Sequence, residues 1–300
     1  MNTDRHRFVL RYAVLFAMVS AVAGTAIGQA TAAKPLAANV REAKLASKLM
    51  AREMPYRVIL PAGYDDAKST SRHPVIYLLH GLTGHFNNWT DASKVEEYAL
   101  AHKFIIVTPE GDNGWYTDSV TKATDKYESY ILKELVAEID AKYRTIADRD
   151  NRMIAGLSMG GYGATKFGLK YPEMFSIVGA FSGALGAASF TEKNAAMAGR
   201  GIDAIMGAED AETRKANDIF KLVRDLTPEK IKALPFIYQS CGNQDFLIQN
   251  NRDFMALLVE KKIPHEYRQH PGVHNWVFWD DQIREFLQVA ERKRAVSDKR

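Results

Sequence analysis

The sequence predicts an α/β fold with a mainly parallel central sheet and helices on both faces. Short apolar runs alternate with amphipathic stretches along the 300 residues. Several of these runs are apolar at consecutive positions, which is typical of strands covered on both faces. With 46% hydrophobic and 25% charged residues, the composition is that of a globular protein rather than a disordered one.

The first 32 residues have the pattern of a secretion signal peptide. The basic segment RHRFVLR is followed by the apolar run Tyr12–Gly24 and then by small residues that end in an A-x-A cleavage pattern. An uncleaved membrane anchor and a core helix are alternatives, although the apolar run is short for a membrane span. We expect export, cleavage near Ala33, and a mature single domain of residues 33–300 that is secreted or periplasmic and has no stable membrane span.

The charge of the chain limits which partners it can bind, and its cysteine content limits which covalent bonds can stabilise it. The formal net charge is +4, and the predicted signal peptide carries +2 of it, which leaves only +2 for the mature chain. This small excess predicts no nucleic-acid partner. The chain has one cysteine, Cys241, so no internal disulfide can form and stability must come from the core.

Six segments are predicted as strands because they are short, rich in β-branched or aromatic residues, and mostly end at glycine. They are Pro55–Pro61, Pro74–Gly81, Phe104–Gly111, Arg152–Ser158, Ser176–Gly183 and Pro235–Gly242. The segment Glu42–Arg52 has a helical local pattern but no stop signal before the first strand, so an opening hairpin is equally possible.

Helices are predicted between these strands. The segment 125–144 carries apolar residues at every fourth position, which marks one buried stripe on a helix. The segments 248–262 and 280–294 follow the same pattern near the carboxyl terminus. Residues 186–234 are long for a connection within a compact domain, and we expect them to form a cap-like insertion over the site.

The pentapeptide Gly156-Leu157-Ser158-Met159-Gly160 lies where the strand Arg152–Ser158 meets a predicted helix. G-x-S-x-G at a strand-to-helix junction is the nucleophile elbow, in which a sharp turn raises the serine hydroxyl above the sheet. The alternative is a tight turn with an idle serine. The context predicts that Ser158 is a nucleophile.

A nucleophilic serine needs a base and an orienting acid, which follow it in the order acid and then histidine in this kind of fold. Asp245 follows a strand, at the edge where open α/β sheets build their sites, although a helix N-cap is its alternative role. His274 lies in a loop before the last helix, whereas His270 ends a strand-like segment and is expected to be structural. Three further carboxylates lie in the long connection and are expected on the surface: Asp210, Asp218 and Asp225.

Acyl transfer also needs donors for the oxyanion of the tetrahedral intermediate. One is expected to be the backbone N–H of Met159, directly after the nucleophile at the start of its helix. The second is expected from the loop after the strand Pro74–Gly81, where Gly81 and Gly84 let the backbone turn towards the serine. The N–H of Leu82 is the candidate.

Taken together, the segments LLHGLTGHFNNWT, VTPEGDNGWYTDS, RMIAGLSMGGYGATKFGLKYP, SCGNQDFL and HPGVHNWVFW resemble the esterase D family of α/β-hydrolases. The similarity runs from about Leu45 to Leu287. It implies the α/β-hydrolase fold, opening strands within Arg41–Pro61, and the same five site residues. These are Ser158 as nucleophile, Asp245 as acid, His274 as base, and Leu82 and Met159 as oxyanion donors.

The resemblance implies a serine carboxylesterase that acts on short-chain acyl or carbohydrate-linked (acetyl or feruloyl) esters through an acyl-enzyme, without a metal or cofactor. The alternatives are an acyltransferase of the mycolyltransferase type and a thioesterase like S-formylglutathione hydrolase. The export signal disfavours glutathione thioesters. His80 stands where the mycolyltransferases typically have an aspartate, and Asp245 where they use a glutamate, so a hydrolase is favoured.

The family also has an aromatic cluster beside its site, which the segment GWYTDS matches here. Trp115 and Tyr116 are therefore expected to flank the substrate, together with Trp89 and Trp276. For Trp276 and Trp279 a core role is equally possible, because aromatic residues dominate cores as well.

Overall fold

The computed structural model describes residues 35–199 and 201–297, and the predicted signal peptide lies outside them. From Leu36 onward the described residues form one compact unit. Among these residues, no helix combines the length and the apolar character that crossing a membrane requires.

The sheet has eight strands in the described part of the chain, in the order β1-β2-β4-β3-β5-β6-β7-β8. Their bounds are β1 Val40–Ser47, β2 Arg52–Ile59, β3 Val75–Leu79, β4 Ile105–Pro109, β5 Arg152–Leu157, β6 Ile177–Phe181, β7 Phe236–Gly242 and β8 His265–His270. Strands β1 and β2 are antiparallel to each other, and β2 is antiparallel to β4. The six strands from β3 to β8 run parallel. The predicted mainly parallel sheet is confirmed.

An opening hairpin stands where the local pattern also allowed a helix. Strand β1 pairs with β2 from Val40 opposite Ile59 to Ser47 opposite Arg52. Along β1, intermediate and exposed residues alternate between two buried ends, which is the period of a strand at a sheet edge. Burial against the rest of the sheet decides the conformation here, so the helical alternative is wrong and the implied opening strands are confirmed.

The helices pack on both faces of the sheet. Their bounds are α1 Asn88–Ala92, α2 Val95–Ala101, α3 Tyr127–Ser129, α4 Val136–Lys142, α5 Met159–Lys170, α6 Glu192–Gly199, α7 Ile202–Met206, α8 Glu212–Lys215, α9 Ile219–Arg224, α10 Pro228–Ala233, α11 Ile248–Glu260 and α12 Trp276–Ser297. A π-helical segment, Tyr130–Leu135, joins α3 to α4. The helices predicted over 125–144, 248–262 and 280–294 are therefore present.

The core consists of two apolar clusters, one on each face of the sheet. Strand β3 shows why: Tyr77 and Leu79 belong to one cluster, and Ile76 and Leu78 to the other. Neighbouring residues of a strand point to opposite faces, so an apolar residue at every position is buried only if both faces are covered.

The parallel strands place their carboxyl ends at one edge of the sheet. The candidate site residues Ser158, Asp245 and His274 follow β5, β7 and β8 at this edge. The segment 186–234 follows β6 and folds into a 3-10 turn, Ala187–Ser189, and the short helices α6 to α10. This edge is where an open parallel sheet builds its ligand site.

Candidate active site

Ser158 sits on a strained turn between β5 and α5. Its backbone angles are φ 53° and ψ −116°, a combination that non-glycine residues rarely adopt. The flanking glycines make the turn possible, because a Cβ on Gly156 would lie 2.6 Å from the backbone carbonyl carbon of Gly160. The spacing of the pentapeptide is thus a steric requirement of the elbow, which leaves the serine hydroxyl partly exposed.

The structure brings Ser158, His274 and Asp245 into one hydrogen-bonded chain. Nε2 of His274 lies 3.0 Å from the Ser158 hydroxyl oxygen, and Nδ1 lies 2.8 Å from Oδ2 of Asp245. The Asp245 carboxylate is fully buried and also accepts from the backbone N–H of Leu247 at 2.8 Å. Because an ionised carboxylate only accepts, Nδ1 carries the proton and Nε2 is left to accept from the hydroxyl. This is the arrangement that activates a serine.

Backbone hydrogen bonds join the loop after β7 to the loop after β8, and these loops carry Asp245 and His274. The backbone N–H of Asn243 donates to the carbonyl of His270 at 2.8 Å, and that of Gln244 donates to Gly272 at 3.0 Å. His270 is the last residue of β8, and its Nε2 lies 3.5 Å from Oε2 of Glu285 on α12. It takes no part in the hydrogen-bonded chain of Ser158, His274 and Asp245.

The other carboxylates weighed from the sequence have local roles. Asp218 caps helix α9 by accepting from the backbone N–H groups of Phe220 and Lys221. Asp225 is exposed and pairs with Lys221. Asp210 is exposed as well.

The predicted oxyanion donors lie next to the serine. Met159 is the first residue of α5, and Leu82 lines the cavity above Ser158. A Cβ on Gly81 would lie 3.4 Å from the Ser158 Cβ, so the loop backbone passes directly beside this serine. Within the described part of the chain, neither the N–H of Leu82 nor that of Met159 donates a hydrogen bond to another backbone group. Their role as donors stays a prediction.

A buried carboxylate beneath this loop is a feature that the sequence analysis missed. One oxygen of Glu110 accepts from the backbone N–H of Asp112 at 2.7 Å, and the other from that of Phe86 at 3.3 Å. Burial would raise the pKa of Glu110, but the contact with His80 at 3.2 Å and the hydrogen bonds from these backbone N–H groups lower it to about 2. Nδ1 of His80 donates in turn to the carbonyl of Gly81 at 2.8 Å. Glu110 thereby fixes the loop that carries Leu82, and its only sequence signal was an acid directly after an apolar strand.

Donor atoms of His85, Glu110 and Asp112 lie within 4.8 Å of one another and could together hold a metal ion. Hydrogen bonds already account for these atoms, since Glu110 accepts the N–H bonds described above, Asp112 accepts from the Tyr127 hydroxyl at 2.6 Å, and Nδ1 of His85 lies 3.2 Å from Glu110. We therefore assign no metal to this cluster.

A buried ion pair supports the opposite wall of the site. Trp115 and Tyr116 both have positive φ, 51° and 50°, which costs about 1–3 kcal/mol for each such residue. The ammonium of Lys166, on helix α5, donates to the Tyr116 carbonyl and to the Thr117 hydroxyl, both at 2.6 Å, and lies 2.8 Å from Glu128. Helix α5 thus holds the strained backbone that presents Trp115.

Burial shapes the ionisation of this pair. Burial lowers the pKa of Lys166 to about 8, against the attraction of Glu128. Burial alone would raise the pKa of Glu128, but the charges of Lys166 and Lys170 bring it down to about 2. The pair had one signal in the sequence, which is a lysine inside the small and apolar run of α5.

The cavity above Ser158 and His274 has a volume of about 840 Å³. Its wall is largely apolar and includes Trp115, Phe190, Phe246, Leu247, Trp276 and Trp279. The segment 186–234 contributes Phe190, Asn194, Ala195 and Ala198 to this wall; its role as a cap stays a prediction.

The predicted substrate-flanking aromatics divide into two groups. Trp115 and Trp276 line the cavity, and so does Trp279. Trp89 and Tyr116 are fully buried, and their prediction is corrected. The Trp89 indole donates to the Leu79 carbonyl at 3.1 Å, and the Tyr116 hydroxyl donates to the His80 carbonyl at 2.9 Å, so both rings are core groups beneath the site.

Comparisons with known proteins identify the family of the chain. The sequence model of the family described as "putative esterase" matches residues 47–288. An acetyl esterase of Caldicellulosiruptor saccharolyticus is 30% identical over 247 residues, which cover 79% of this chain and 92% of the relative. Two solved structures are similar to this chain, and each match covers 84% of this chain and 97% of the solved chain. A fluorophosphonate-binding serine hydrolase of Staphylococcus aureus has a TM-score of 0.74 at 27% identity. A ferulic acid esterase has a TM-score of 0.73 at 28% identity.

Proposed function

The chain belongs to the putative esterase family of α/β-hydrolases and is a serine hydrolase of carboxylic esters; from this premise we propose that Ser158, His274 and Asp245 are its catalytic triad. The observation that carries the proposal is the hydrogen-bonded chain from the Ser158 hydroxyl through His274 to Asp245, with distances of 3.0 and 2.8 Å.

In the proposed reaction, the Ser158 oxygen attacks the ester carbonyl while Nε2 of His274 takes the hydroxyl proton. The buried Asp245 carboxylate stabilises the imidazolium that forms. The N–H groups of Leu82 and Met159 bind the oxyanion. The imidazolium then protonates the leaving alcohol, and a water molecule activated by the same imidazole hydrolyses the acyl-enzyme.

The proposed substrates are short-chain acyl esters or carbohydrate-linked acetyl and feruloyl esters. Two relatives are an acetyl esterase and a ferulic acid esterase, and the volume of about 840 Å³ is ample for either acyl group. A panel of p-nitrophenyl esters of increasing chain length, extended with feruloyl and acetylated sugar esters, tests this proposal. Product analysis with and without an acceptor alcohol would reveal an acyltransferase, which needs the same catalytic residues.

We also propose that the enzyme is exported and acts outside the cytoplasm. The support is the order of basic segment, apolar run and small-residue site within residues 1–32. The mass of the protein recovered from the periplasm or medium tests it. A mature chain that begins near Ala33 is the expected result, and an intact chain that stays in the cytoplasm would contradict it.

The triad is tested by Ser158→Ala, measured with p-nitrophenyl acetate and with a fluorophosphonate probe. We expect loss of hydrolysis and of labelling with an unchanged unfolding midpoint, because the substitution removes a single oxygen atom from a partly exposed side chain. Ser71→Ala is the matched control, since Ser71 is an exposed serine outside the cavity wall. Hydrolysis or labelling that persists in Ser158→Ala would overturn the assignment.

A further inference from the structure

Phe246 is an aromatic ring that the fold leaves in solvent beside the nucleophile. It directly follows Asp245 and lines the cavity, yet 77% of its surface is exposed. Among the described residues it is the one aromatic side chain in the set of strongly exposed large hydrophobic residues. At the mouth of the cavity, this ring can leave water only by contact with a molecule that enters there, and such burial of apolar surface is favourable.

The position of the ring relates it to one part of the substrate. The centroids of the Phe246 and His274 rings lie 4.5 Å apart, with 49° between the ring planes. In an acyl transfer, the histidine must reach the oxygen of the departing alcohol in order to protonate it. The alcohol portion of the ester therefore lies on the His274 side of Ser158, where Phe246 stands.

Orienting His274 does not by itself require an exposed ring. Asp245 fixes Nδ1 at 2.8 Å, and the Trp279 ring meets the imidazole edge-on at 4.9 Å while only 7% of Trp279 is exposed. The imidazole thus has a buried aromatic neighbour and a buried carboxylate. Phe246 differs from both in facing solvent.

Building on the proposed function, we propose that Phe246 forms a leaving-group subsite that binds alcohols bearing an aromatic ring. The Phe246 face offers offset or edge-on contact to such a ring. Because the subsite is open to solvent, it selects for the ring and sets no upper limit on what the alcohol carries beyond it. The acyl group is bound elsewhere in the cavity.

The experiment compares benzyl acetate with ethyl acetate, which share an acyl group and have unactivated alcohols. In Phe246→Ala we expect the benzyl-to-ethyl ratio of kcat/KM to fall about two- to twelve-fold, the range of a single aromatic pair contact. Phe246→Trp should keep the ratio near that of the unmodified enzyme. Benzyl butyrate should lose the same factor as benzyl acetate, because the contact is with the alcohol.

Val277→Ala is the matched control. Val277 has the same 77% exposure but lies outside the wall of the cavity, and its substitution should leave the ratio unchanged. An equal loss on benzyl and ethyl acetate in Phe246→Ala would overturn the proposal, because it would mean that the ring only orients His274. An unchanged ratio would overturn it too. A failure of the proposed function would be seen separately, as an enzyme that hydrolyses none of these esters.

Discussion

Lys166→Met tests how helix α5 supports the cavity wall that Trp115 forms. The substitution keeps the length of the side chain and removes its ammonium group. Lys166 is fully buried, so methionine fits the same space. Oε2 of Glu128 and the carbonyl of Tyr116 then lose a donor at 2.8 and 2.6 Å, and nothing in the apolar surroundings replaces it.

The size of the effect follows from the partners that remain. Removing one member of a buried pair costs about 3–5 kcal/mol, because the other charge stays buried. Oε1 of Glu128 keeps Lys170 at 2.5 Å and the Tyr171 hydroxyl at 2.6 Å. We therefore expect the lower end, a loss of about 3 kcal/mol in the free energy of unfolding, or about 6–12 °C in Tm.

The substitution should also change substrate binding more than chemistry. The strained backbone of Trp115 and Tyr116 loses its hydrogen bond to α5, so the cavity wall that Trp115 forms becomes looser. KM should rise several-fold, while kcat and the rate of fluorophosphonate labelling change little because the Ser158–His274 pair is untouched. Urea unfolding and steady-state kinetics measure the two effects.

The double variant Lys166→Met with Glu128→Gln is the control for the buried charge. It should recover part of the lost stability, because the glutamine carries no unpaired charge. A loss under 1 kcal/mol in Lys166→Met, or no recovery in the double variant, would refute the reasoning.

Three further predictions follow from single contacts. Asp245→Asn should lower kcat by on the order of 10³–10⁴, because an amide N–H facing Nδ1 selects the wrong tautomer of His274; Asp225→Asn, at the surface, should keep full activity, and comparable losses in steady-state assays would contradict the triad. Gly160→Ala should lower kcat by up to about a hundredfold, because its Cβ would lie 2.5 Å from the carbonyl oxygen at the end of β3 and would displace the turn that carries Ser158; an alanine variant with normal kcat would be inconsistent with this. The pKa of Glu128 falls from 4.5 to about 2 on folding. In acid titrations followed by circular dichroism, its contribution to the free energy of unfolding should be complete above pH 4.5 and lost as the pH falls through about 2. Glu128→Gln should make the free energy of unfolding depend less on pH in this range.

Most of the fold could be predicted because its signals are local. Apolar runs at consecutive positions gave the parallel strands, and the four-residue period gave the helices. The opening hairpin was ambiguous because the pattern of β1 also fits a helix. Pairing of Val40–Ser47 with Arg52–Ile59 resolves it, and that pairing is a property of the folded sheet.

The candidate site could be predicted only for residues that lie in motifs. Ser158, Asp245 and His274 each follow a strand in a recognisable segment, and the structure brings their side chains together. Only some of the predicted aromatic residues line the cavity. Nothing in the sequence distinguishes a ring that lines a cavity, such as Trp115, from one buried beneath it, such as Trp89.

The sequence alone predicted Ser158 as the nucleophile, because the elbow requires two glycines around the serine whatever lies elsewhere, and it predicted Asp245 and His274 as partners from their order in the chain. Only the tertiary structure decided that Lys166 meets Glu128, that Glu110 supports the loop of Leu82, and that the ring of Phe246 stays exposed. The physical reason is that a backbone turn depends on neighbours in the chain. Burial and pairing of side chains depend on segments far apart in sequence, which meet only when the sheet and its covering helices are assembled.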